Sequence, residues 1–443
     1  MLVRYYGHVG GASGYGHAAN ETCMAMLEAG IDLEISTDGK QLRAPHLPLS
    51  RCIRNEADLT GDPDVVFVHT LPIDCGKMLQ RANVGGLSPP LDRRQRAIAY
   101  TTWEGSSPAS LEVADALDAF TDVWVPSEVT ANLLRPSGIN PRVSVVPHAY
   151  YTVGAPRANA ACSRCGDFHA IRIAPGDAVV SPDGPGTVVE WSQLGGPVYF
   201  RVQFADGARE NYDPCQLTHP RTDPYRFYYI GAWAIRKNVE GVIRAYLRSF
   251  SPQDNVELVI QSSGAADSAC DIARIATGLT LEQMPPVRFS NQRVSDAQLR
   301  EIHRSCQCFV TATRGEAWNL PAFDAMLHGN HVIAPAGMGS DDFLAETSAD
   351  LYPGIRAPAG GEVCFVADPS APPGHLTGVY FGTQGLTVRS EWIEPDIARL
   401  GLLMRKAYVE RITSLSVTYD PAARFGRAAV GSLIKSLLEG PEL

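Results

Sequence analysis

Over the first 150 residues short apolar runs alternate with longer stretches of helical period, the pattern of a parallel sheet covered by helices. Val65-Val66-Phe67-Val68, Ala97-Ile98-Ala99-Tyr100 and Val123-Trp124-Val125 read as buried strands. Each ends in polar or turn-forming residues, His69-Thr70, Thr101-Thr102 and Pro126-Ser127, where ligands of open α/β sheets collect. The alternation returns from Phe227, with strands predicted at Phe227–Ile230, Leu258–Ile260, Phe309–Val310 and Val332–Ile333. Between the two halves the helical period is lost. Strand-like runs at Gly176–Val180, Gly186–Trp191, Val198–Phe204 and Ala208–Tyr212, joined by Pro-Asp-Gly, Gly-Gly-Pro and Ala-Asp-Gly, predict a small closed all-β sheet. From Trp392 to Leu438 the period is helical again, with Leu400, Leu403, Met404, Ala407 and Tyr408 on one face. The expected division is an N-terminal Rossmann-like domain over residues 1–155, an insert over 156–222, a second Rossmann-like domain over 223–390, and C-terminal helices over 391–443 that pack back toward the first domain.

Composition agrees with this division. A chain of 443 residues with 45% hydrophobic and 19% charged positions is long enough for two or three globular cores. No apolar run approaches the roughly 20 residues that span a bilayer, and the N-terminus lacks a basic region followed by an apolar stretch, so a cytoplasmic protein is expected. The net charge of −10 opposes non-specific attraction to nucleic acid or anionic lipid, although Asp92-Arg93-Arg94-Gln95-Arg96 supplies a local basic cluster. Ten scattered cysteines do not form a disulfide framework. Cys162, Cys165, His169 and Cys215, with His219 close by, either bind a structural zinc or form an accidental CxxC; beyond that, no metal or cofactor is expected.

The strongest local signal is Arg314-Gly315-Glu316-Ala317-Trp318-Asn319-Leu320-Pro321-Ala322-Phe323-Asp324-Ala325-Met326. Pro321 suits the first position of a helix, where its missing N–H costs nothing, and the preceding loop then offers backbone N–H groups and a positive dipole end to a diphosphate. Asp324 is expected in the first turn of that helix and Glu316 in the loop before it. Either the two carboxylates frame one ligand, or Asp324 is merely a favourable charge at a helix start and Glu316 a surface residue.

This stretch resembles the family-4 retaining glycosyltransferases, which carry Glu-x7-Glu in a context close to E-G-F-G-L-P-x-x-E-A-M. Glu316, Leu320, Pro321, Ala325 and Met326 match in place, and Asp324 stands where the second Glu is expected. The resemblance implies a GT-B fold, in which two Rossmann-like domains face a cleft. It also implies that Glu316 contacts the donor sugar and Asp324 the ribose, a contact that the shorter side chain leaves open together with nucleotide preference. Tyr229–Asn238 resembles the family's phosphate-binding segment: Lys237 keeps the Lys position, Ala232 replaces the Arg, and Arg236 either supplies that charge or is solvated surface. Gly7–Ala18 is similar to the family's N-terminal glycine-rich loop, which places Gly11 and Ser13 near donor and acceptor. Asn319 and Leu320 lie where donor contacts are expected.

On the acceptor side the resemblance points to the strand ends at His69, Thr102 and Ser127, with Glu104 as a catalytic candidate alongside Glu316 and Lys237. For His69 a packed core role is the open alternative, and His148 is expected at the domain junction. The implied activity is metal-independent transfer of a hexosyl group, with retention, from a nucleotide-diphosphate sugar to an acceptor hydroxyl. The acceptor is a saccharide, a small molecule or, as in some phage enzymes, a hydroxymethylated base in DNA. The insert, whose strand-turn style is similar to SH3-like barrels, would help select it. A non-catalytic binder of sugar nucleotides or nucleic acid is the competing class. An oxidoreductase is disfavoured, because no acidic residue follows a second strand in the dinucleotide-binding context.

Overall fold

The computed structural model describes residues 1–11, 13–37, 47–55, 59, 61–84, 96–150, 160–161, 168–169, 178–192, 199–213, 216–217, 224–263, 283–356, 378–381, 387–390 and 392–440. The N-terminal half places seven strands, β1 (Leu2–Gly7), β2 (Asp32–Thr37), β3 (Ile53–Asn55), β4 (Val65–His69), β5 (Arg96–Tyr100), β6 (Asp122–Val125) and β7 (Arg142–Val145), in one parallel sheet ordered β3-β2-β1-β4-β5-β6-β7. Its helices are α1 (Gly14–Glu28), α2 (Leu47–Ser50), α3 (Pro72–Val84), α4 (Leu111–Leu117) and α5 (Glu128–Leu134). The apolar strand runs are explained by burial on both faces. Val65, Phe67, Ile98, Tyr100 and Trp124 enter one core, while Val66, Val68, Ala97, Ala99, Val123 and Val125 enter another across the sheet.

Next come the short strands β8 (Ala160–Ala161) and β9 (Phe168–His169), followed by β10 (Ala178–Ser181), β11 (Gly184–Ser192), β12 (Tyr199–Gln203) and β13 (Arg209–Tyr212). The last four form an antiparallel row in chain order with their own core of Val179, Val188, Phe200, Val202, Tyr212 and Leu217. Among the described residues these strands form an antiparallel meander in which no pairing of β13 with β10 is seen. The Tyr212 hydroxyl donates to Asp183 at 2.5 Å and joins β13 to the turn between β10 and β11. Phe168–His169 pairs instead with Ser416–Val417, so the front of the segment is stitched into the body of the molecule.

The C-terminal half repeats the architecture. Strands β14 (Tyr225–Ala232), β15 (Val256–Ser263), β16 (Val287–Ser290), β17 (Cys308–Val310), β18 (His331–Pro335) and β19 (Asp350–Tyr352) lie parallel in the order β16-β15-β14-β17-β18-β19. Helices α6 (Val239–Ser249), α7 (Asp296–Ser305), α8 (Leu320–Leu327) and α9 (Asp341–Leu344) connect them. Both sheets are doubly wound, and each reverses direction beside its first strand, at β1/β4 and at β14/β17. Loops leaving the strand ends there diverge and open a crevice.

Three helices close the chain, α10 (Ile397–Glu410), α11 (Pro421–Phe425) and α12 (Arg427–Glu439). The apolar face of α10 is buried against α6 in the C-terminal domain. Helix α12 crosses back, where Val430, Ile434 and Leu438 complete the N-terminal core. A Cβ on Gly431 would collide with the Ala25 carbonyl, so only glycine lets α12 lie this close to α1. Among the described residues no helix is long and apolar enough to cross a membrane.

Candidate active site

The helices that flank the C-terminal switch point both start from an asparagine in left-handed conformation, Asn238 (φ 48°) before α6 and Asn319 (φ 72°) before α8. Asparagine tolerates that region better than other residues with a Cβ, and the sharp turn brings the two preceding loops face to face. On one loop stand Arg236 and Lys237; on the other, Glu316. The Glu316 Oε1 accepts from Lys237 Nζ at 2.5 Å and from Thr313 Oγ1 at 3.0 Å. Its Oε2 lies 3.2 Å from Arg236. Burial by itself would raise this carboxyl, but Lys237, then Arg236, and the hydrogen bonds from Lys237 and Thr313 hold it below the ordinary carboxylate range. A buried carboxylate with two cations is thus fixed where the sheet reverses.

Arg236 extends the network across the cleft. One Nη donates to Gly315 O at 2.6 Å and the other reaches Glu104 of the N-terminal domain at 2.9 Å. A Cβ on Gly315 would strike the Glu104 carbonyl oxygen, so the two backbones meet here and only glycine fits. Behind this contact Arg314 clamps Glu394 at 2.7 and 3.0 Å, and its N–H donates to Arg236 O at 2.8 Å.

Helix α8 begins at Leu320, one residue before Pro321, because Asn319 takes the left-handed cap position. Asp324 therefore sits in the second turn and not, as expected, in the first. That removes its reading as a charge on a helix start. Burial pushes its carboxyl up to about 6, opposed by His17 of α1 and reinforced by Glu21 and Asp296. The Asn319 and Leu320 amides precede the first hydrogen-bonded turn, in which Ala322 and Phe323 donate to Asn319 O. Leu320 faces Gly14 of the glycine-rich loop, 3.5 Å from where a Cβ would stand.

The raised carboxyl carries a prediction. The folded chain holds this proton more tightly than an unfolded chain does, so the ionised form costs stability. That cost is absent below the ordinary value of 3.8 and complete above about 6. Asp324→Asn should raise the melting temperature at neutral pH, leave it nearly unchanged near about pH 4, and weaken binding of a ribonucleotide diphosphate. Equal shifts at both pH values would mean that the carboxylate is not paying this burial cost.

On the N-terminal side several expected ligand groups are committed to structure. Ser13 caps α1, accepting from the Gly16 N–H at 3.2 Å. Gly11 gives its N–H to His8 O at 3.0 Å, and Gly16 packs against its backbone too closely for any Cβ. Ser127 is fully buried, caps α5 through the Thr130 N–H, and lies beneath Gly339 of the other domain. His69 is buried among Tyr5, Tyr100 and His148, with Nδ1 2.5 Å from the Tyr5 hydroxyl. Burial, then His148 and His8, depress its pKa well below the usual value, which favours the neutral ring in this packed setting. His148 stacks edge-on against Trp318 and lies at the domain junction. Burial, then His17, pulls its pKa down to about 3.

Thr102 is buried and bonds the Tyr15 hydroxyl, and Tyr15 lies within the field of Glu104 and Arg236. Sequence reasoning missed Tyr15, His17 and Thr313. Tyr15 and His17 carry no motif signal beyond their place behind the glycines, and Thr313 lies just before the motif. Of the basic cluster, Arg96 is spent on Asp122 at 2.7 Å and on the last carbonyls of α12, Leu437 at 2.6 Å and Leu438 at 3.3 Å. Arg93 and Arg94 lie outside the described residues. So do Cys162, Cys165, Cys215 and His219 of the zinc proposal; His169 is described only as part of β9.

No family model matches the chain, and no curated protein sequence matches it. Solved structures do. Sucrose-phosphate synthase from Thermosynechococcus elongatus is 13% identical, covering 99% of this chain and 98% of its own, with a TM-score of 0.56. A trehalose-6-phosphate structure from E. coli bound with UDP-2-fluoro glucose is 10% identical over 100% of both chains, with a TM-score of 0.53. The lipopolysaccharide outer core galactosyltransferase WaaB is 12% identical over 98% of both, with a TM-score of 0.52. At such identities the likeness is one of fold, and over its full length this chain has the GT-B fold of those glycosyltransferases.

Proposed function

We propose that the protein is a retaining glycosyltransferase that moves a sugar from a nucleotide-diphosphate sugar to an acceptor hydroxyl without a divalent metal. The observation that carries this reading is the buried Glu316 carboxylate held between Lys237 and Arg236 at the C-terminal switch point. One structural neighbour is bound with UDP-2-fluoro glucose, which supports the donor class.

In this mechanism the bond from the sugar's anomeric carbon to the diphosphate breaks, its electron pair leaving with the phosphate. The acceptor oxygen forms the new bond on the same face, and its proton departs toward the leaving group. Negative charge therefore grows on the diphosphate, where Lys237, Arg236 and the amides ahead of α8 are preorganised to meet it. Glu316 accepts from donor-sugar hydroxyls and keeps the Lys237 ammonium oriented. Asp324, one methylene shorter than the family's residue, reaches the ribose. Glu104 faces the acceptor side and holds Arg236 from across the cleft. The acceptor is a saccharide or small molecule; with Arg96 spent internally, a modified DNA base loses part of its support.

A thermal-shift screen of nucleotide diphosphates and their sugars tests the donor reading, since selective binding raises the melting temperature by mass action. Stabilisation by a nucleotide-diphosphate sugar followed by release of free sugar or transfer is expected. Binding without any turnover would make the protein a binder only.

A second prediction concerns the meander, which has its own core and lies in the linker between the domains. Replacing residues 178–213 with a short flexible linker should preserve nucleotide-diphosphate stabilisation while sharply lowering transfer to the acceptor, because donor contacts come from the C-terminal domain. Loss of nucleotide binding would overturn the modular reading. Gel shifts on hydroxymethylated and plain duplex DNA, with intact and shortened protein, test the DNA acceptor.

A further inference from the structure

A cavity near the site takes no part in this mechanism. It encloses about 360 Å³ where the start of α6 meets the start of α10, and Trp233, Asn238, Glu240, Arg244, Arg314 and Glu394 line it. That size falls within the range of small-molecule sites. A thin wall separates it from the donor crevice: Arg314 donates its backbone N–H to Arg236 O at 2.8 Å and a guanidinium N–H to Ile235 O at 2.5 Å. Arg236 and Lys237 point away from the cavity toward Glu316, so the two sites use opposite sides of the same loop.

The lining chemistry selects a ligand class. Arg314 is clamped by both oxygens of Glu394, and Arg244 bonds Glu240 at 3.0 and 2.5 Å. Two guanidiniums cancel two carboxylates, so the wall has no net charge with which to draw a phosphate or an ammonium. It does present hydrogen-bond donors beside acceptors. At its inner end Asn238 is only 7% exposed. Its Oδ1 accepts the Gly241 N–H at 3.1 Å, and its Nδ2 is buried with no partner. A buried amide N–H without an acceptor is costly, and a ligand oxygen would relieve that cost. Gly241 lets Asn238 and Ile397 close over the start of α6: a Cβ there would stand 2.7 Å from Asn238 Nδ2 and 2.7 Å from Ile397 Cδ1. Trp233, held edge-on by Phe289 at 5.7 Å, supplies an aromatic wall.

We infer that this cavity is a second binding site, for a neutral saccharide ring, separate from the donor crevice. A sugar offers an apolar face to the Trp233 indole, hydroxyl donors to Glu240 and Glu394, and an oxygen to Asn238 Nδ2. A phosphorylated or amino sugar carries a charge that this wall does not balance.

The test is isothermal titration of the full-length protein with methyl glucoside, galactoside and mannoside, maltose and lactose, with glucose 6-phosphate and glucosamine as charged probes. Trp233→Ala, Glu240→Ala and Glu316→Ala are titrated in parallel. At least one neutral sugar is expected to bind more tightly than both charged probes. Its affinity should fall at least about tenfold in Trp233→Ala and in the rim variant Glu240→Ala, the scale of one lost contact, and persist in Glu316→Ala. Thermal melts of each variant show that it is folded. Absence of binding by every neutral sugar, preference for a charged probe, or loss in Glu316→Ala but not in Trp233→Ala and Glu240→Ala would each overturn the proposal. None of these readouts requires that the protein transfer sugar.

Discussion

Replacing Glu316 by alanine is expected to lower sugar transfer by at least about tenfold, and replacing Lys237 by alanine to do the same, the scale of a lost charge-assisted contact. The two act as one unit. Lys237 Nζ and Glu316 Oε1 are 2.5 Å apart, and each holds the other in the geometry that the donor meets. Combining the substitutions should therefore cost little more than either alone, because effects of coupled residues are far from additive. Glu316→Gln separates the roles further: it keeps an acceptor oxygen for the sugar and for Thr313 but removes the negative charge that Lys237 and Arg236 face. It should retain nucleotide binding better than it retains transfer. The measurement is transfer rate and nucleotide affinity on the same preparations, and full activity in both alanine variants would sink the site assignment.

The candidate site was legible to the extent that it is contiguous. Glu316, Asn319, Leu320 and Asp324 fall within nine residues, and a loop entering a helix with Pro near its start declares itself in sequence. The strands were legible because both faces are buried, which writes every position as apolar. What could not be read depends on how distant pieces meet. Glu104 finds Arg236 only because the domains face each other, and nothing local to either residue announces the pair. His69 could not be decided from its strand end, because the tyrosines that bury it come from neighbouring strands. The turn that holds Asp324 was misplaced because Asn319, by taking a left-handed conformation, started the helix a residue early. The β9 pairing with Ser416–Val417 joins segments too far apart for any pattern of period to connect.

Arg427→Ala is expected to destabilise the protein by about 3–5 kcal/mol, the usual cost of breaking a buried ion pair from one side. Arg427 opens α12, where a cation is disfavoured by the helix dipole, yet its side chain is only 4% exposed and bonds both oxygens of Glu21 at 2.7 and 2.8 Å, with Glu28 at 3.3 Å. Glu21 is equally buried, so removing the arginine leaves its charge unpaired inside the contact between α1 and α12. Replacing Arg427 by Met and Glu21 by Leu together should recover most of the loss, since an apolar pair of similar volume carries no desolvation cost. Denaturant midpoints followed by tryptophan fluorescence give the comparison. The effect should also reach the candidate donor site. Glu21 already helps raise the Asp324 carboxyl, and without Arg427 to neutralise it that push grows. Arg427→Ala should then lose nucleotide binding at a higher pH than the parent as conditions turn acidic, whereas the apolar double variant, having no charge at Glu21, should lose it at a lower one. If nucleotide binding has the same pH dependence in all three proteins, the buried pair only anchors α12 and does not act on Asp324.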